Sequence, residues 1–301
     1  RNRHRVSTSQ LLQFAEDSYL DRTSRPIYAV LFLLPFIVFY EVGTILINTD
    51  LLNQSQVRVV AFVWMQEIFR TLGCTDRVAW ALPPLVVVVV LLSLQIVSGR
   101  SWLFYPYDVV PMGVECVLLA VPLIVLSLFL NTHFSMPVRA PIEPNPAVAS
   151  TLHAEWNTSR GWSPVGEEAE YAEAPPGPGP LMASIVTSMG AGIYEELVFR
   201  LILICMLVIL LQDVLGVPYR NALVLSVLIS AGMFSAHHHV LFVGGQLDQG
   251  IPFSWTEFGF RTAAGVYFSV LFTLRGFGIT AGTHVFYDIL ATLLNAAFFA
   301  R

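Results

Sequence analysis

Stretches of about 20 apolar residues, repeated along the whole chain, constrain this sequence more than any other feature in it. A bilayer core about 30 Å thick is crossed by about 20 helical residues at 1.5 Å each. Lipid offers no partner to a backbone amide, so each stretch must satisfy its own hydrogen bonds as a helix. Seven spans are predicted: Pro26 to Ile47, Val78 to Val97, Val109 to Leu130, 181–211, Tyr219 to Val240, Phe258 to Leu274 and Phe277 to Phe299. An eighth crossing depends on residues 55–72, whose apolar run is broken by Arg58, Glu67 and Arg70. That run reads as an amphipathic helix at the interface, or as one only partly inserted. The second span contains PPLVVVVVLL, a β-branched run that would suggest a buried strand in a soluble protein; its length favours a membrane helix. The fold class expected is therefore all-α, a polytopic bundle of about seven to eight transmembrane helices in a multi-pass integral membrane protein.

Composition excludes several functions. Hydrophobic residues make up 55% of the chain and charged residues 12%, with a formal net charge of −5. Nucleic-acid binding needs a basic patch and is not expected. Every basic residue is Arg; the absence of Lys removes Schiff-base and Ser–Lys chemistry. Cys74, Cys116 and Cys205 form no CxxC pair, and the last two, set in apolar runs, are expected in the core.

Four regions are expected: a polar leader (1–25), N-terminal membrane helices (26–130), an acidic Pro/Gly-rich loop (131–180) and a C-terminal membrane core (181–299). Within the leader, 11–22 reads as a short helix at the membrane surface. The first apolar run is too long for a signal-peptide h-region and is taken as a true span. Arg1, Arg3, Arg5, Arg22 and Arg25 place the N-terminus on the cytoplasmic side, which in a bacterium means the inner membrane. The loop carries six glutamates against Arg139 and Arg160, ends in EAPPGPGP and reads as solvated chain. No internal repeat is visible, so an inverted-repeat transporter gains no support.

Chemistry concentrates in the core. Glu195, Glu196 and Arg200 lie inside the apolar segment 181–211, where one charge costs about 2.5–3.5 kcal/mol even on a lenient insertion scale. Glu196 and Arg200, four apart, share a helix face and can neutralise each other. Glu195 points about 100° away and lacks that partner, which suits a general base. Read as helix, the run MFSAHHHV turns at most one or two of its histidines inward; Phe234 and His238 stack one turn apart, whereas His237 and His239 read as flank residues. In GTHVFYDIL, His284 and Asp288 are one turn apart, and a carboxylate there can fix the imidazole tautomer. Gly278 and Gly282 upstream permit close helix approach. A polar cluster that merely glues helices together is the competing reading of each group alone. Jointly, a base, an acid partner and hydrogen-bond donors are the parts needed to hydrolyse an amide.

EELVFR (EExxxR), FSAHH (FxxxH, ending at His238) and HVFYD (HxxxD) follow one another in the order and approximate spacing of the CPBP family. This segment, about 181–299, resembles those CAAX-protease and bacteriocin-processing intramembrane proteases, which include the Ras-converting prenyl-protein endopeptidases. The resemblance implies a glutamate-dependent, metal-independent membrane endopeptidase acting on a hydrophobic or lipid-anchored peptide. By the same resemblance Glu195 activates water with His238, His284 and residue 288 stabilise the oxyanion, and Glu196 and Arg200 shape the site. No cofactor is expected. The prenyl-protein proteases have Asn where this chain has Asp288, and an ionised Asp cannot donate to an oxyanion; it must be protonated or orient His284 instead.

Two other readings compete. Glu195, His238 and His284 offer a carboxylate and two imidazoles to zinc, although no HExxH motif is present. A non-enzymatic family member, an immunity factor or scaffold, would show the same motifs.

Overall fold

The computed structural model describes residues 14–50, 59–134, 180–243, 246–249 and 253–298. The loop expected over 131–180 falls almost wholly outside them, as does the first half of the leader. The helices are α1 (Tyr19–Thr23), α2 (Pro26–Asp50), α3 (Val60–Thr71), α4 (Asp76–Ser98), α5 (Val109–Phe134), α6 (Pro180–Glu196), α7 (Ile204–Ile209), α8 (Tyr219–Ala236), α9 (Trp255–Arg275) and α10 (Phe277–Phe298). Two π-helical stretches, Leu197–Leu203 and Leu210–Val214, fuse α6 and α7 into one rod, Leu181–Val214. A short antiparallel hairpin, β1 (Val240–Val243) with β2 (Gln246–Gln249), follows α8, with Val240 opposite Gln249.

Six helices among the described residues are long and apolar enough to cross a membrane: α2, α4, α5, the α6–α7 rod, α8 and α10. The chain is thus an all-α polytopic membrane protein. The span expected at Phe258 to Leu274 is also a helix, α9, of 21 residues. It is less apolar than the others because Glu257 and Arg261, bridged at 3.2 Å, occupy its first turns. The segment 55–72 contributes only the 12-residue α3; at about 18 Å it is too short to cross. It packs instead on α4 and α6.

α10 is the axis of the bundle and lies against α2, α5, α6 and α9. Its Ile279, Thr280, Ala281, Thr283 and Val285 are fully buried. The outer helices turn apolar side chains outward, among them Leu34, Val38 and Val42 on α2 and Val114, Leu118 and Val125 on α5. Those faces suit lipid, which is as apolar as the side chains themselves, so helices here associate through close packing. Gly278 meets that need, since a Cβ there would stand 2.8 Å from the Ala29 Cα of α2. Cys116 is buried as expected, but Cys205 is exposed, on the outward face of α7.

A polar staple closes one end of the bundle. Arg22 grips Asp108 through two nitrogens at 2.9 and 3.0 Å, and the Tyr28 hydroxyl donates to the same carboxylate. Arg275, ending α9, binds both oxygens of Glu115 on α5 at 2.6 and 2.8 Å and donates to Thr23 Oγ1. Tyr19 donates to Glu115 as well; burial, then that carboxylate, push its phenol above the ordinary range, so it stays a donor. Arg22, read as topogenic charge, thus also ties α1 to the bundle. Trp102 and Tyr107 are exposed, as aromatic side chains at a membrane face are.

Candidate active site

Glu195 and Glu196 close α6, about 20 Å along the rod from Leu181. The π-helical turn that follows changes the phase of the side chains; such turns recur at functional sites. Glu196 and Arg200 are both fully buried, with Arg200 Nε 3.1 Å from Glu196 Oε2. The contact is an ion pair out of line for a hydrogen bond. The guanidinium gains its remaining support from rings, its Cζ lying 4.1 Å from the centroid of Phe234 and 5.5 Å from that of Phe268. One further nitrogen reaches the Gly265 carbonyl at 3.5 Å.

The other oxygen of Glu196 accepts from His284 Nδ1 at 2.7 Å. An ionised carboxylate only accepts, so the Nδ1 carries a proton. Phe268 stacks on the imidazole at 4.6 Å and 18°. Both contacts fix the ring and leave Nε2 pointing toward Asp288, whose Oδ2 is 3.5 Å away, too far for a strong hydrogen bond. The Asp288 side chain is 26% exposed and stands at the edge of the cluster.

The histidine triplet departs from the expectation. α8 ends at Ala236, and the chain tightens so that the amides of His238 and His239 bond to Ser235 and Ala236, three residues back. The 100° step of a helix therefore does not apply to the three rings. His237, expected on the flank, is buried and faces Glu195, its Nε2 3.6 Å from Oε1. Its Nδ1 donates to the Phe234 carbonyl and lies 3.0 Å from His238 Nδ1. One ligand atom each of Glu195, His237 and His238 lies within 4.8 Å of the others. His284 is not in that group, so the zinc set expected from sequence, Glu195 with His238 and His284, is not the set the fold assembles. Phe234 is the hub: its ring neighbours those of His237, His238 and His284 at 5.5, 5.4 and 6.0 Å.

Three further residues did not enter the sequence reading. Trp64 of α3 meets the rings of His237 at 5.8 Å and Phe199 at 6.3 Å. Tyr194, next to Glu195 in the chain, packs edge-on against Phe62 and donates to Glu41 Oε1 of α2 at 3.0 Å. The glutamate in the first apolar span was the one available hint, since an intramembrane charge needs a partner.

Gly192 sets the distance between α6 and α10. A Cβ there would stand 2.6 Å from the Val285 amide nitrogen, next to His284. Backbone cannot yield as a side chain can. Gly192→Val is expected to push the two helices apart and destabilise the fold by about 1–3 kcal/mol, the cost of overpacking. Thermal unfolding in detergent measures this; an unchanged midpoint rejects it.

A carboxylate pair, an arginine and imidazoles from the α6–α7 rod, α10 and the end of α8 are brought together within a bundle of helices long and apolar enough to cross a membrane. Residues 177–290 match the Rce1-like family of type II CAAX prenyl endopeptidases. This segment is thus similar to the CAAX-type prenyl endopeptidases. The match contains Glu195, Glu196, Arg200, the histidine triplet, His284 and Asp288, and leaves out α1 to α5. No curated protein and no solved structure matches the chain.

Proposed function

We propose that this protein is a glutamate-type intramembrane endopeptidase that cleaves a peptide bond in a hydrophobic or lipid-anchored substrate. The supporting observation is the facing of Glu195 and His237. His237 Nδ1 carries its proton toward the Phe234 carbonyl, so Nε2 presents a lone pair to the Glu195 carboxylate. Two acceptors 3.6 Å apart lack a hydrogen between them. A water supplies two, and with bonds of about 2.8 Å it bridges groups up to about 5 Å apart. One ligand atom each of Glu195, His237 and His238 lies within that reach of the others.

In this mechanism the water attacks the scissile carbonyl carbon while Glu195 takes its proton. The C–N bond then breaks, and Glu195 returns the proton to the leaving amine. His284, held by Glu196 through Nδ1, donates from Nε2 to the carbonyl oxygen as it becomes negative. Asp288 faces that nitrogen from 3.5 Å. It acts as a positioning residue, which removes the need for a donor at position 288.

The substrate class follows from where the site lies. Scissile bonds reach a cluster among lipid-facing helices most readily when the chain is apolar or carries a lipid near its C-terminus. The test is purified protein in liposomes, supplied with a farnesylated and an unlipidated version of one peptide ending in a CAAX sequence. Mass spectrometry of the released fragment is expected to show cleavage of the lipidated peptide and a loss of about 10²–10³-fold in His284→Ala, the worth of one oxyanion donor. Equal cleavage by His284→Ala, or none by wild type, overturns the proposal.

A further inference from the structure

We propose that Glu195, His237 and His238 bind one divalent transition-metal ion of the zinc class, and that the bound ion switches hydrolysis off. The second half rests on the proteolytic reading; the binding itself does not.

Three observations point to the ion. The ligand atoms converge: one from each residue lies within 4.8 Å of the other two. In a tetrahedral site with bonds of about 2.0–2.1 Å, neighbouring donors stand about 3.3 Å apart. The 3.6 Å between His237 Nε2 and Glu195 Oε1 is already close to that spacing and too wide for a direct hydrogen bond. The His237 ring is also oriented in the way ligating imidazoles are. Its Nδ1–H is spent on a main-chain carbonyl, that of Phe234, which leaves Nε2 unprotonated and aimed at the carboxylate. Finally, the donor chemistry selects the metal. Two imidazoles and one carboxylate, with a fourth position open, suit zinc and its neighbours, whereas magnesium and calcium favour oxygen donors.

The consequence for hydrolysis is direct. The carboxylate lone pair that takes a proton from water in the proposed mechanism is the one a metal ion would occupy. The ion also sits where the bridging water sits. Metal and base are therefore alternatives at Glu195.

Tag-free, chelator-washed protein in detergent, titrated with zinc against a fluorescent chelator, tests the site. Wild type is expected to bind one ion more tightly than His237→Gln or Glu195→Gln by about tenfold or more. Asp288→Asn, which touches none of the three ligands, is expected to keep wild-type affinity. Cobalt in place of zinc should give the visible absorption of a four-coordinate ion in wild type and not in His237→Gln. Zinc affinity unaltered by both ligand variants overturns the site. Zinc that binds and raises peptide cleavage overturns the switch and makes the metal part of the catalyst. Zinc that binds to a protein without cleavage under any condition leaves the site standing and removes the proteolytic reading.

Discussion

Glu195→Gln is expected to lower kcat by about 10²–10⁴-fold, the worth of a positioned general base, with the thermal midpoint close to that of wild type. Glutamine fills the same volume and still accepts a hydrogen bond, but it cannot take a proton. The separation of activity from stability follows from the geometry. Glu195 faces His237 at 3.6 Å, a contact too long to hold the fold together, whereas Glu196 is clamped at 3.1 and 2.7 Å by Arg200 and His284. Cleavage of a lipidated peptide by the reconstituted variant, measured beside its unfolding curve, decides the matter. Retained turnover removes Glu195 as the base; lost turnover with a lost fold makes the residue structural.

The largest effect on stability is expected at Arg200. Its side chain is wholly buried between Glu196 and the rings of Phe234 and Phe268. Arg200→Leu strands the Glu196 charge in a medium without water, which costs about 3–5 kcal/mol. His284 then becomes the remaining partner of that carboxylate, so the loss extends to its ring. Removing both charges, in Arg200→Leu with Glu196→Leu, is expected to recover much of the stability and none of the activity, because apolar pairs of similar volume replace buried ion pairs at little cost. Unfolding of the two single variants and the double variant in one detergent gives the coupling between the two residues. Additive losses show that the pair is not a unit.

Much of the fold was legible because the bilayer imposes one length on every apolar stretch. Helices α2, α4, α5, α8, α9 and α10 form within a few residues of where the runs placed them, with the largest departures at the ends of α5 and α8. What hydropathy does not carry is the local winding. Nothing in LVFRLIL announces a π-helical turn. The same limit explains His237. Its inward aim comes from α8 stopping at Ala236, and the sequence MFSAHHHV holds neither proline nor glycine to mark that stop. The paired charges were easier: Glu196 with Arg200 and His284 with Asp288 are each one turn apart, and the structure places each pair in reach. The bond joining the two pairs, Glu196 to His284, spans 88 residues and had no local signal. Trp64 was hidden for the same reason, being contributed by a helix whose pattern says only that it is amphipathic.

The helix bearing Trp64 lies outside the stretch shared with the type II endopeptidases, yet its indole rests on the imidazole facing the acidic doublet. The acidic doublet and the wall beside its facing imidazole thus come from separate parts of the chain, one inside the family match and one outside it.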